Sequence, residues 1–99
     1  MVKKQELIAY LAANKSRFLE EYHLVKIGVF GSIAREDQTE DSDIDIIVEF
    51  KENTKDLYEL KQNLKKELHM NFNKPIDICR EKYIKSVFKK QILSEAAYV

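Results

Sequence analysis

The chain has 99 residues, 44% of them hydrophobic, and its 17 Lys and Arg balance 17 Asp and Glu for a formal charge of zero. That length makes one domain whose core is a single sheet layered with helices, and a neutral balance lacks the broad basic field of a dedicated nucleic-acid binder. No apolar run approaches the roughly twenty residues of a membrane span, no secretory or lipidation signal stands out, and the lone Cys79 excludes an internal disulfide, so a reducing, cytoplasmic setting is expected.

Lys3 to Tyr22 places Leu7, Leu11, Phe18 and Tyr22 at helical spacing, predicting a first helix whose stripe is core or interface. Val25, Ile27 and Val29 then alternate with Lys26, Gly28 and Phe30, predicting a strand that runs straight into Gly31-Ser32. Gly31 permits close backbone approach to a ligand. Ser32 is placed to cap a short helix from about Ile33, whose free amides and positive dipole end favour a phosphate. After the ten residues Ile33 to Ser42 come Asp43-Ile44-Asp45. Ile44, Ile46, Val48 and Phe50 form an apolar set at period two, so Asp43 to Phe50 reads as a strand with Asp43, Asp45 and Glu49 on its alternate face beside Ile47. Two carboxylates at i and i+2 lie roughly 6 to 7 Å apart on one face, a gap that one divalent ion or a pair can bridge. A Gly-Ser turn followed by paired carboxylates suits a nucleoside triphosphate held beside magnesium.

Leu57, Leu60, Leu64 and Leu68 give one apolar stripe, predicting a helix of about Lys55 to His69. Lys74 to Cys79 is a short alternating run opened by the only proline, with Ile76 and Ile78 facing the core and Asp77 and Cys79 facing the other way. Strand, helix, strand favours a parallel crossover, which sets Asp77 level with Asp43 and Asp45. Lys82 to Ala97, with Ile84, Val87, Phe88 and Ile92 at helical spacing, predicts a closing helix. Cys79 reads as a small core-edge residue, since no histidine or metal-ligand spacing accompanies it. His23 and His69 sit at predicted element ends, far in sequence from the acids, where termini and loops explain them better than metal binding. Charge is uneven along the chain. Glu36, Asp37, Glu40, Asp41, Asp43 and Asp45 form a run without a base, whereas Glu59 to Lys90 is rich in lysine, either the solvated side of helices or a surface for an acidic partner. The expected fold class is α/β (α+β): helix, strand, short helix, strand, helix, strand, helix, with a small mixed three-stranded sheet and helices mainly on one face.

Gly31-Ser32, ten residues, Asp43-Ile44-Asp45 and the later strand acid Asp77 resemble the signature of the minimal nucleotidyltransferases of the DNA polymerase beta superfamily. Ala34-Arg35, Ser42 to Ile46 and the ending Ile92 to Ala97 are similar too, so the likeness spans nearly the whole chain. One departure is Glu36, where members often carry glycine after the Ala-Arg pair. The resemblance implies Asp43, Asp45 and Asp77 as catalytic and metal ligands, two Mg2+ ions, ATP as substrate, and Gly31 and Ser32 holding its outer phosphates. Arg35 reaches a phosphate oxygen or pairs with Glu36, Asp37 or Glu40; both readings stand at this point. Many stand-alone members are antitoxins paired with a helical HEPN-type ribonuclease toxin, to whose tyrosine they transfer AMP, which implies a homo- or hetero-oligomeric setting. Transfer to a small hydroxyl compound such as an aminoglycoside, and neutralisation of a partner by contact alone, are the alternatives.

Overall fold

A computed structural model describes all residues, 1–99. The chain runs α1 (Lys4–Ala13), α2 (Lys15–Glu21), β1 (Leu24–Phe30), α3 (Gly31–Arg35), β2 (Ile44–Phe50), α4 (Leu57–Phe72), β3 (Ile76–Arg80), a 3-10 turn (Glu81–Tyr83), α5 (Ser86–Glu95) and β4 (Ala97–Tyr98). The sheet has the order β3-β2-β1-β4. β1 is antiparallel to β2 and to β4, and β2 is parallel to β3. The mixed sheet and the α4 crossover are as the pattern predicts.

The core joins Leu7, Leu11 and Phe18 of the first two helices, and Tyr22 just after them, to Ile44, Ile46, Val48 and Phe50 of β2, Leu64 and Leu68 of α4, and Ile76 and Ile78 of β3. Each set keeps the period of its element, 3.6 for helices and 2 for strands, so a single buried face results. One carboxylate ties the helices together. Glu67 of α4 accepts hydrogen bonds from the Tyr22 hydroxyl at 2.6 Å, from Tyr10 at 3.4 Å and from the Arg17 guanidinium. The Arg17 bonds come first among the causes that hold Glu67 below the usual carboxylate range.

Four differences from the sequence expectation lie away from the Gly31 turn and the acids, each with a local cause, and β2 begins at Ile44 rather than Asp43. The first helix is two, because Asn14 turns its side-chain amide onto the Tyr10 carbonyl at 2.9 Å and leaves helical geometry there. Val25 is not a core residue: β1 pairs Leu24 with Phe50 but Lys26 with Glu49, so Val25 is the extra residue of a bulge, 53% exposed, and Leu24 takes the buried position. The helix expected over Lys82 to Ala97 spans only Ser86–Glu95, and no α5 residue is buried; Val87 is 78% exposed and Phe88 54%. Finally the sheet has four strands rather than three, because the chain end pairs with the free edge of β1. Gly28 makes that approach possible: a β-carbon there would lie 2.7 Å from the Ala97 carbonyl oxygen.

Candidate active site

Three strand ends lie side by side. Phe30, the last residue of β1, is the register partner of Asp45, and Asp45 is the partner of Asp77. Strand spacing therefore puts the Gly31 turn, Asp45 and Asp77 about 5 Å apart in sequence across the sheet. Gly31 follows Phe30 with φ +73°, and a β-carbon on it would fall 2.2 Å from Asp45 Oδ2. Glycine is thus demanded twice, by backbone and by the neighbouring carboxylate. Asp43 lies just before β2 and is exposed, Asp45 is half-buried, and Asp77 is exposed on β3. Ile47, next after Asp45 on that alternation, is fully buried.

None of the three aspartates takes part in a salt bridge. Burial pushes the Asp45 carboxyl up to about 6, the charges of Asp77 and Asp43 push it the same way, and Arg35 pulls it down. The acids thus feel one another. Their side chains are nonetheless not gathered into a closed cluster of three ligands, so it is backbone register that assembles them. The Cys79 thiol is raised by burial and by Asp77, which keeps it protonated and agrees with its reading as a core-edge residue.

Ser32 is not the cap of α3. The helix begins one residue earlier, with Phe30 at the cap position and no side-chain capping bond, because Gly31 already turns the chain into the helix. The Ser32 hydroxyl is left free of that duty. At the other end, Glu36 is left-handed (φ 63°), its N–H donating to the Ile33 carbonyl while the Asp37 N–H donates to Ser32. This double closure is a Schellman motif, whose left-handed position favours glycine on conformational grounds, so Glu36 departs from the pattern at a position where a side chain carries a conformational cost. Arg35 donates to Asp37 at 3.0 Å and to Glu95 of α5 at 3.1 Å, so one of the expected acidic partners is found, together with one that lies 60 residues away.

The loop before Asp43 is tied to the start of β3. Lys74 Nζ donates to the Glu40 carbonyl, the Ile44 N–H donates to Pro75 at 2.9 Å, and the His69 ring donates from Nδ1 to the Lys74 carbonyl at 2.9 Å. His69 therefore does serve a helix end, as expected, but it is not far from the acids in space. Together with Gln62, Lys65 and Lys66 of α4 it lines a cleft of about 460 Å³ whose other wall includes Asp43 and Asp77. The sequence carried a signal for this that the leucine stripe overshadowed: 62, 65, 66 and 69 are spaced three and four apart, a polar stripe of their own. A larger cleft, about 700 Å³, opens at the opposite end of the sheet. It contains none of the three aspartates, and its Arg80 and Glu49 are paired with each other at 2.8 Å.

The polymerase beta nucleotidyltransferase family profile matches residues 8–99. The chain belongs to that family. It is a nucleotidyltransferase. It is 34% identical over 101 residues to the protein adenylyltransferase MntA of Thermococcus cleftensis, covering all of this chain and 98% of that one. It is 36% identical over 99 residues to a chain of Methanocaldococcus jannaschii described as a protein adenylyltransferase, covering 95% of each. Among solved structures, a minimal nucleotidyltransferase superposes with a TM-score of 0.78 at 30% identity over 97% of this chain and 95% of that chain. A toxin-antitoxin crystal structure with AMP-PNP shares the fold, with a TM-score of 0.66 at 20% identity over 87% of this chain and 69% of that one.

Proposed function

We propose that this chain transfers AMP from ATP to a hydroxyl of a partner protein, namely a tyrosine of a cognate HEPN-type ribonuclease toxin, and so acts in the cytoplasm as an antitoxin. The observation that carries the reading is the packing of Gly31 against Asp45, with Asp77 as that aspartate's neighbour: a turn suited to phosphates adjoins the acids that would manage their charge. The adenylyltransferase relative from Thermococcus, and the occurrence of this fold in a toxin-antitoxin structure with AMP-PNP, support AMP as the group moved and a toxin as the partner.

Magnesium suits the donor set, which is three carboxylates outside any salt bridge, two of them exposed and free to turn toward a cation. Asp43, Asp45 and Asp77 would hold it, and when bound it would offset triphosphate charge and make the acceptor hydroxyl more acidic. The chain's own groups do the rest. The Ser32 hydroxyl and the amides after Gly31 hold the outer phosphates, and Arg35 exchanges Asp37 or Glu95 for a phosphate oxygen. The acceptor oxygen bonds to the α-phosphorus as the bond from that phosphorus to its bridging oxygen breaks. Pyrophosphate leaves with that electron pair, and the hydroxyl proton passes to the Asp77 carboxylate.

The test uses purified toxin partner, magnesium, and ATP labelled at the α- or at the γ-phosphate. Label from the α position should appear on the toxin tyrosine, with one pyrophosphate released per AMP. Label arriving from the γ position, or none arriving, would overturn the reading.

A further inference from the structure

The polar stripe of α4 poses a question that phosphate binding leaves open. Lys65 and Lys66 face a cleft shared with Asp43 and Asp77, yet neither lysine is in a salt bridge with those acids or with any other. Two uncommitted cations therefore stand beside two uncommitted anions. His69, whose ring donates to the Lys74 carbonyl at 2.9 Å, ties the end of α4 to the residues that lead into β3 at the rim of this cleft.

The lateral order of the strands says what arrives there. Gly31 touches Asp45 from the β1 side, while Asp77 adjoins Asp45 from the β3 side, and β3 is the edge of the sheet. In an in-line displacement the attacking and leaving oxygens lie on opposite sides of the phosphorus. With pyrophosphate leaving toward Gly31 and Ser32, the attacking hydroxyl comes from the β3 side, where the cleft opens. Asp43 and Asp77 would repel an acceptor carrying negative charge, and Lys65 and Lys66 on the facing helix offset that charge and present the positive wall along which an acidic flank can lie.

Resting on the nucleotidyl-transfer reading above, we propose that the cleft between α4 and the start of β3 is the acceptor site, and that Lys65 and Lys66 select a hydroxyl set in an acidic peptide segment. The lysines are specificity residues, since they meet the acceptor's flanks and not the reacting atoms.

Isotope-labelled protein followed by amide NMR tests this with two short peptides, one a tyrosine flanked by aspartates and one a tyrosine flanked by lysines, each added with and without magnesium and a non-hydrolysable ATP analogue. The acidic peptide should shift residues 62–69 and 75–77, and Lys65→Glu with Lys66→Glu should weaken it at least about tenfold, the change expected for one to two lost charge contacts. Nucleotide should shift Gly31 and Ser32 equally in both proteins. Equal binding of the two peptides, shifts confined to other surfaces, or loss of nucleotide binding in the double variant would overturn the assignment. Absence of nucleotide shifts at Gly31 and Ser32 in the wild-type protein would instead contradict the nucleotidyl-transfer reading, while the peptide arm without nucleotide still reads the cleft.

Discussion

Asp45 Oδ2 occupies the space that a β-carbon on Gly31 would need, at a separation of 2.2 Å. The Gly31 turn and the central acid are therefore not two motifs that happen to share a chain but two surfaces in van der Waals contact. Any side chain at 31 must displace the carboxylate, and it must also adopt φ +73°.

Gly31→Ala should lose about 1 to 3 kcal/mol of stability from the left-handed conformation alone, with further loss from the displaced carboxylate. For a domain of this size that is a fall in Tm of several degrees or more, read by thermal melts. AMP transfer should fall with it, and should stay low even at temperatures where the variant remains folded.

Glu36→Gly should do the opposite. A non-glycine residue in the left-handed region costs about 1 kcal/mol, part of which is offset by the greater freedom of glycine in the unfolded chain. The exposed Lys4 to Glu36 contact at 3.8 Å contributes little. A gain of roughly 0.5 kcal/mol, with a Tm higher by a few degrees and transfer activity kept, is the expected outcome.

Asp45→Asn separates stability from function. Burial, and then the charges of Asp77 and Asp43, push the folded Asp45 carboxyl up to about 6 from its ordinary 3.8. Between those two values the folded state binds a proton that the unfolded state has released, so wild-type stability falls as pH rises through that window. Asparagine carries no such charge. The variant should melt at or above wild type without metal at neutral pH, its advantage should grow from about pH 4 to pH 6 and vanish below, and it should gain less from magnesium plus ATP. A variant that melts well below wild type at pH 7, or gains equally from ligand, would mark Asp45 as a structural acid.

Much of this site was legible because strands keep period two. Ile44, Ile46, Val48 and Phe50 fixed the face of β2, and a helix between two short strands made β3 parallel to it, which set Asp77 level with the aspartate pair; the pairing of Ile44 with Ile76 then makes it the neighbour of Asp45. What escaped notice depended on contacts remote in sequence or on single-residue geometry. Nothing local announces that Val25 is a bulge residue, since the extra position exists only relative to β2. Ala97 reads as the last residue of a helix, and Tyr98 carries no strand signal, until the free edge of β1 and the missing side chain of Gly28 are placed beside them. The polar stripe of α4 faces the acids only once Leu64 and Leu68 have been seated in the core.

Asp43→Asn distinguishes catalysis from occlusion. Asp43 is exposed and precedes β2, so its substitution should leave the fold and the partner complex intact. Co-purification of the variant with the proposed toxin partner should be at least as strong as with wild type, since the variant removes one of the two charges that repel an acidic acceptor from the cleft, while protection of cells at equal expression should fail. Full protection by the variant would mean that contact alone neutralises the partner.

The most direct measurement is transfer of α-labelled AMP to the purified toxin by wild type and by the Asp43→Asn, Asp45→Asn and Asp77→Asn proteins, with magnesium at fixed ionic strength. Each carboxylate lost should lower the rate by at least about a hundredfold, the scale of a removed group that stabilises transition-state charge. Transfer at near wild-type rate by all three variants would show that the chemistry takes place elsewhere on the chain.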